Sequence, residues 1–183
     1  MIIRYPIDKD KLKDLHAGDT VEFEGVILTS RDAAHMRVEQ MVNEGKELPV
    51  DYNDSFIYYA GPTPTKPGCV IGSIGPTTSS RMDKFAPLMT KLNVTATIGK
   101  GPRSKECSQY YKDNHILYFI TTGGCGALLA KSVVEAKEIA FFDLGPESVK
   151  MLKVKNFKMI CAIDYYGNDI FERNWIWVLK KIH

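Results

Sequence analysis

Three features of this chain predict an α/β domain with a largely parallel sheet. Apolar runs of strand length alternate with segments of helical period, Gly and Pro fall between these runs, and 183 residues with 44% hydrophobic content suffice for one core. Parallel neighbours need crossover connections, so helices are expected to cover the sheet. No repeat, low-complexity tract or charge block interrupts the sequence, and residues 1–183 read as a single domain.

The first element, Thr20 to Leu28, sets Val21 and Phe23 against Glu22 and Glu24 and runs into Gly25-Val26-Ile27-Leu28, the pattern of a strand or a bent strand pair. Ala34, Val38, Met41 and Val42 stand at i, i+4, i+7 and i+8, one face of a helix, with Ser30 as N-cap and Gly45 as stop. Phe56 to Tyr59 and Cys69 to Gly72 read as strands. After Gly75-Pro76-Thr77-Thr78-Ser79-Ser80 comes a helix with Met82, Phe85, Leu88, Met89 and Leu92 inward, weakened in its middle by Pro87. Val94 to Ile98 and Ile116 to Thr121 are further strands. Glycines follow each of them, then a polar helix near Ser104 to Lys112 and another through Leu128, Leu129 and Val133. Strands at Ile139 to Phe142 and Met159 to Asp164 complete the set, and the β-rich portion before Ser73 suggests an extra β layer.

Lys+Arg 24 against Asp+Glu 22 leaves a net charge of +2, too small for the footprint of a general nucleic-acid binder. No stretch approaches the roughly 18 to 20 apolar residues that cross a bilayer. The start, Met1-Ile2-Ile3-Arg4, has no hydrophobic signal region, so the expectation is a cytoplasmic protein. Cys69, Cys107, Cys125 and Cys161 are scattered without a Cys-x-x-Cys pair, so neither a disulfide framework nor a zinc ribbon is indicated and no metal ligands are expected from this chain. Gly99-Lys100-Gly101 is not a phosphate-binding Walker loop, and no Gly-x-Gly-x-x-Gly follows the first strand. None of His16, His35, His115 and His183 is accompanied by a serine in a Gly-x-Ser-x-Gly elbow.

In a parallel sheet the strand-to-helix loops open at one edge, where helix N-termini direct partial positive charge outward. Arg31, Thr77, Arg81, Lys100 and Gly123-Gly124 all fall in such loops. Arg grips a carboxylate through two donors, Lys supplies a compact charge, and glycines let backbone N–H groups come close. Three cations from three loops suit a small anion with two separated negative groups, such as a dicarboxylate. Read from the residues alone, Arg31 and Arg81 also fit as caps or bridges of neighbouring surface helices, the commoner role of a lone exposed arginine. His35, one turn after Arg31, fits either the same pocket or a helix surface facing a partner.

The loops resemble, in order and over nearly the whole chain, the β subunit or C-terminal domain of the class I iron-sulfur fumarases and related L-tartrate dehydratases. The matching segments are Gly18-Asp19-Thr20-Val21 through Gly25-Val26-Ile27-Leu28-Thr29-Ser30-Arg31-Asp32-Ala33-Ala34-His35; Tyr59-Ala60-Gly61-Pro62; Gly75-Pro76-Thr77-Thr78-Ser79-Ser80-Arg81-Met82-Asp83; Ile98-Gly99-Lys100-Gly101; Gly123-Gly124; Leu144-Gly145-Pro146-Glu147; and Asp164-Tyr165-Tyr166-Gly167-Asn168-Asp169. The sequence departs from the pattern at Cys125-Gly126 and Ser79-Ser80, neither of which removes a candidate functional side chain.

The resemblance implies a swivelling β/β/α three-layer domain that closes over a [4Fe-4S] cluster held by cysteines of an iron-sulfur α subunit, with two α and two β chains in the assembly. It implies that Arg31, Arg81 and Lys100 bind the carboxylates and hydroxyl region of malate or fumarate, that Thr77 is the candidate for proton transfer, and that the partner's iron activates the hydroxyl. The implied activity is fumarate hydration. L(+)-tartrate dehydration is the alternative on the same scaffold, and a non-catalytic anion-binding or scaffold domain is the alternative of another class. Residues 172–183, with Trp175 and Trp177, are expected either to dock on the partner or to pack on this chain's own core.

Overall fold

The computed structural model describes residues 2–4 and 9–172. The expected docking tail therefore lies outside the described residues, apart from Glu172. β1 (Ile2–Arg4) is followed by α1 (Lys9–Lys13), β2 (Thr20–Thr29), α2 (Asp32–Asn43) and β3 (Phe56–Tyr58). A long loop then leads to a 3-10 segment, Ser79–Phe85, which continues into α3 (Ala86–Lys91). β4 (Ala96–Gly99), α4 (Lys105–Asp113), β5 (Leu117–Ile120), α5 (Gly126–Ala130), β6 (Val133–Ala140), a second 3-10 segment at Phe142–Glu147, and β7 (Val149–Ile163) complete the order.

The mixed α/β class is as expected. β2, β3, β4 and β5 are parallel neighbours, and β1 runs parallel to the first half of β2. The antiparallel pairings all involve β7, which joins β5 on one side and β2 on the other and so closes β2-β3-β4-β5-β7 into a ring. β7 is fifteen residues long where the sequence suggested only Met159 to Asp164. Four lysines interrupt its apolar alternation: Lys153, Lys155 and Lys158 are exposed and Lys150 is half-buried, while Cys161, Ala162 and Ile163 at the end of the strand are all buried.

Alternation of side chains across the ring sorts the core in two. Val21, Phe23, Phe56, Tyr58, Ala96, Ile98, Leu117, Phe119, Phe157, Met159 and Cys161 belong to one cluster, which Leu12 and Leu15 join from the α1 region. Phe56 stacks between Phe23 at 4.9 Å and Phe119 at 5.7 Å. The intervening residues Ile57, Tyr59 and Tyr118 pack with Val38 of α2, Leu88 and Met89 of α3 and Tyr111 of α4. A helical layer thus covers one outer face of the ring.

Several expected boundaries shift. Cys69 to Gly72 is loop rather than strand. The chain doubles back there, Thr63 N–H donating to the Ser73 carbonyl, and a Cβ on Gly72 would sit 2.0 Å from the Thr63 carbonyl oxygen. Pro87 lies in the first turn of α3, where its missing N–H costs nothing, so the expected single helix from Ser80 divides into a 3-10 turn and α3. Val133 opens β6 instead of ending α5, and Ile139 belongs to that same strand. Gly25, at φ 151°, carries the register shift that bends β2 against β7, so the candidate bent strand pair is one bulged strand.

The outer layer holds a buried cation. The Arg103 side chain is fully buried and its Nε donates to Asp83 at 2.6 Å. The guanidinium faces the rings of Tyr111, Tyr118 and Tyr59, with centroids at 4.8, 5.2 and 5.5 Å. Asp83 also accepts from Ser104 N–H at 2.7 Å, and Ser104 Oγ caps α4 by accepting from Cys107 N–H. One carboxylate therefore fixes the 3-10 segment, the buried arginine and the start of α4. Replacing Arg103 by Leu strands Asp83, and a loss of roughly 3–5 kcal/mol is expected in urea unfolding. Arg103→Lys should recover little of it, because an ammonium lacks the planar donors that serve Asp83 and Thr97 together.

Candidate active site

The expected site residues gather where the parallel strands end. β2 leads directly to Arg31 at the N-cap of α2. The Arg31 side chain lies against Gly61, where a Cβ would approach Nη1 to 3.1 Å, so the absent side chain makes room for the guanidinium. Tyr59, two residues before Gly61, accepts the Thr77 N–H at 2.6 Å, and Ala60 bridges Pro76. Thr77 and Thr78 then run beside Lys100 at the end of β4. Lys100 N–H donates to the Thr77 carbonyl at 3.2 Å, and Ser79 N–H donates to the Lys100 carbonyl at 3.0 Å. The Lys100 side chain extends past Gly123, whose Cβ would lie 3.3 Å from its Cδ.

Asp32 links the two arginines. Its Oδ2 is 3.1 Å from Arg81 Nη2 and 3.8 Å from Arg31 Nη2. Glu147, at the end of the second 3-10 segment, is 3.3 Å from Arg31 Nη2 and accepts the Ala33 N–H of α2 at 2.9 Å. Arg37 grips Asp143 with two bonds of 2.7 and 2.8 Å, pinning that segment to α2. The Arg31 side chain is 21% exposed and that of Arg81 is 54% exposed, so both can still meet a ligand while their carboxylate partners hold them in place. Arg31, Arg81, Lys100 and Thr77 thus occupy one open loop rim.

The expected N-cap role of Ser30 is not realised. Arg31 takes that position, Glu147 satisfies a first-turn N–H, and Ser30 Oγ contacts His35 Nδ1 at 2.8 Å instead. His35 is buried between Tyr59 and Phe85, neither at a helix surface nor at the rim. Its Nδ1 is 3.0 Å from the Arg31 carbonyl, which can only accept, so Nδ1 carries the proton and Nε2 is the bare acceptor. Among the described residues Nε2 and the Tyr52 hydroxyl both lack partners, and both residues line one small cavity with Val38, Ile57 and Leu88. His35 thus acts on the Arg31 main chain from behind.

Asp32, Glu147, Ser79, Asp83, Arg103 and Tyr118 were given no role by sequence reasoning. Glu147 does lie in the Leu144-Gly145-Pro146-Glu147 segment that marked the resemblance. Among the described residues no three His, Cys, Asp or Glu side chains are arranged to hold a metal ion, and the four cysteines are free. No helix among them is long and apolar enough to cross a membrane.

Burial pushes the His35 imidazole down from 6.5 to about 4, the Arg31 carbonyl only partly opposing the shift. The unfolded chain then takes up a proton more readily than the folded one, so the stabilisation present above pH 6.5 is lost as pH falls toward 4. A His35→Asn variant should be less stable than the parent at pH 7. That gap should narrow by up to about 3 kcal/mol between pH 6.5 and 4 in urea melts.

Comparison with known proteins identifies the family. Residues 2–174 match the family model described as Fumarase C-terminus. A Methanocaldococcus jannaschii protein, provisionally named L(+)-tartrate dehydratase subunit beta, is 42% identical over 97% of this chain and 92% of its own length. The Escherichia coli L(+)-tartrate dehydratase subunit beta is 34% identical over 94% of this chain and 87% of its own. Fumarate hydratase 2 of Leishmania major is 35% identical over 93% of this chain but only 31% of its own, much longer, sequence. A family match over nearly the full length, with relatives above 30% identity covered almost end to end, makes this chain a member of the fumarase C-terminal family of hydro-lyases.

Proposed function

We propose that this chain is the β-type subunit of a hydro-lyase that interconverts fumarate and L-malate, working with a partner that carries a [4Fe-4S] cluster. The observation that carries this reading is the rim itself. Arg31 and Arg81 are tied through Asp32, and Lys100 is bonded to the same Thr77–Ser79 stretch that leads to Arg81. Two arginines and a lysine from separate loops suit a dianion with separated carboxylates. The rim is open, as a surface completed by a second subunit would be. This chain offers no ligand set for a cluster among its described residues, so we assign the cluster to the partner, where its iron would act as Lewis acid toward the hydroxyl.

Removing a proton next to a carboxylate builds a second negative charge on that group. Fixed cations therefore stabilise the transition state more than the bound substrate. A threonine hydroxyl is a weak acid and a weak base, so Thr77 can move the proton only with help from the cations or from a carboxylate of the partner. Tartrate is the second reading. It is favoured by the relatives named as separate β subunits, which this chain matches over most of their length, whereas it spans about a third of the fumarate hydratases.

Anaerobic capture of the full chain with its cellular partner, followed by assays of fumarate hydration and L(+)-tartrate dehydration, decides between the substrates. In that complex Arg81→Ala and Lys100→Ala should each lower turnover by roughly 10²–10³-fold without preventing assembly. Assembly with undiminished turnover would leave a scaffold or anion-binding role for the rim.

A further inference from the structure

Ser79 holds Lys100 by both of its main-chain groups. Its N–H donates to the Lys100 carbonyl at 3.0 Å, and its Oγ accepts the Lys100 N–H at 3.1 Å. The same Oγ is 2.8 Å from the Tyr118 oxygen, which in turn is 2.7 Å from the Gly101 carbonyl. The Tyr118 hydroxyl is the donor to both oxygens, so its one proton is shared between Ser79 Oγ and the Gly101 carbonyl. Ser79 Oγ therefore accepts from two sides, from the Lys100 N–H and from the Tyr118 hydroxyl, and the same hydroxyl ties it to the Gly101 carbonyl.

This chain of bonds is protected and pre-shaped. Ser79 and Tyr118 are both 0% exposed, so water does not compete for their hydroxyls. A Cβ on Gly99 would lie 2.0 Å from Ser79 Oγ, so only glycine there allows Ser79 to come so close. The Arg103 guanidinium faces the Tyr118 ring at 5.2 Å and holds it in place. Lys100 N–H and Gly101 C=O, on adjacent residues, are therefore bracketed by two buried hydroxyls at the point where β4 enters the site.

We propose that Tyr118 is a positioning residue for Lys100, acting through Ser79: its hydroxyl sets the direction in which the Lys100 ammonium meets the substrate. This rests on the reading of the rim as a hydro-lyase site. Tyr111 supplies the control. Its ring packs on the same guanidinium, but its hydroxyl contacts Thr97 at 3.1 Å and Tyr59 at 3.3 Å and does not touch the Lys100 loop.

The experiment compares Tyr118→Phe, Ser79→Ala and Tyr111→Phe in the complex captured with the full chain, by steady-state kinetics on fumarate and on L(+)-tartrate and by amide hydrogen exchange at Lys100. Misdirecting a cation that acts on developing charge should lower kcat by roughly 10–100-fold in Tyr118→Phe and Ser79→Ala. KM should change by less than about threefold, because ground-state binding depends less on that alignment. The Lys100 amide should exchange faster in both variants. Tyr111→Phe should keep kcat and Lys100 exchange near those of the parent. Equal losses in Tyr118→Phe and Tyr111→Phe would reduce the effect to general packing and overturn the proposal, as would parental kcat and exchange in Tyr118→Phe. If the parent complex turns over neither substrate, the hydro-lyase reading fails instead. Lys100 exchange then decides alone whether Tyr118 orders the loop.

Discussion

A buried guanidinium must be neutralised and solvated by the protein itself, and the architecture around Arg103 follows from that requirement. Asp83 supplies the opposite charge, Thr97 a weak acceptor at 3.5 Å, and three tyrosine rings a polarisable cage. These groups come from the residue after β3, the 3-10 segment, β4, α4 and β5, so meeting the demands of one side chain draws five stretches of chain into a fixed arrangement. The loop that bears Thr77 runs into the same 3-10 segment, which itself carries Arg81. The edge of the site is thereby anchored to the interior by an interaction lying wholly behind it.

Closure of the sheet provides the second constraint. β7 pairs with both β5 and β2, so the ends of the parallel strands cannot splay. Arg31 after β2 and Lys100 after β4 are held at fixed positions on a ring rather than on an open edge. The second 3-10 segment, just before β7, brings Glu147 to Arg31 and to the first turn of α2. A strand from the C-terminal third of the chain thus both seals the core and delivers an acidic partner to a residue near the N-terminus. The two acidic residues on the arginines hold the side chains without enclosing them, which suits a surface that must admit an anion.

Much of this was legible in the sequence because it depends on local order. The alternation at Val21 and Phe23, the helical face at Ala34, Val38 and Val42, and the polar helix beginning near Ser104 are set by neighbours in the chain. The loop positions of Arg31, Thr77, Arg81 and Lys100 follow from the succession of strand, turn and helix. The long β7 was legible only in part, because its lysines hide the period of the strand. Cys69 to Gly72 looked like a strand because its apolar run carries no sign of the backbone contact with Thr63 that bends it.

What the sequence by itself determined is therefore the α/β class, the approximate ends of the parallel strands β2 to β5 and the identity of the charged residues that follow them, all of which arise from short-range pattern. Tertiary structure alone decided that the sheet closes, that Asp83 and not a surface group answers Arg103, that Glu147 reaches Ala33 across 114 residues, and that Ser79 and Tyr118 clasp Lys100. Those are long-range pairings of buried and half-buried polar groups, main-chain groups of the strands included. Each is selected by the cost of leaving a partner unsatisfied in the completed core, a cost that no local stretch of sequence records.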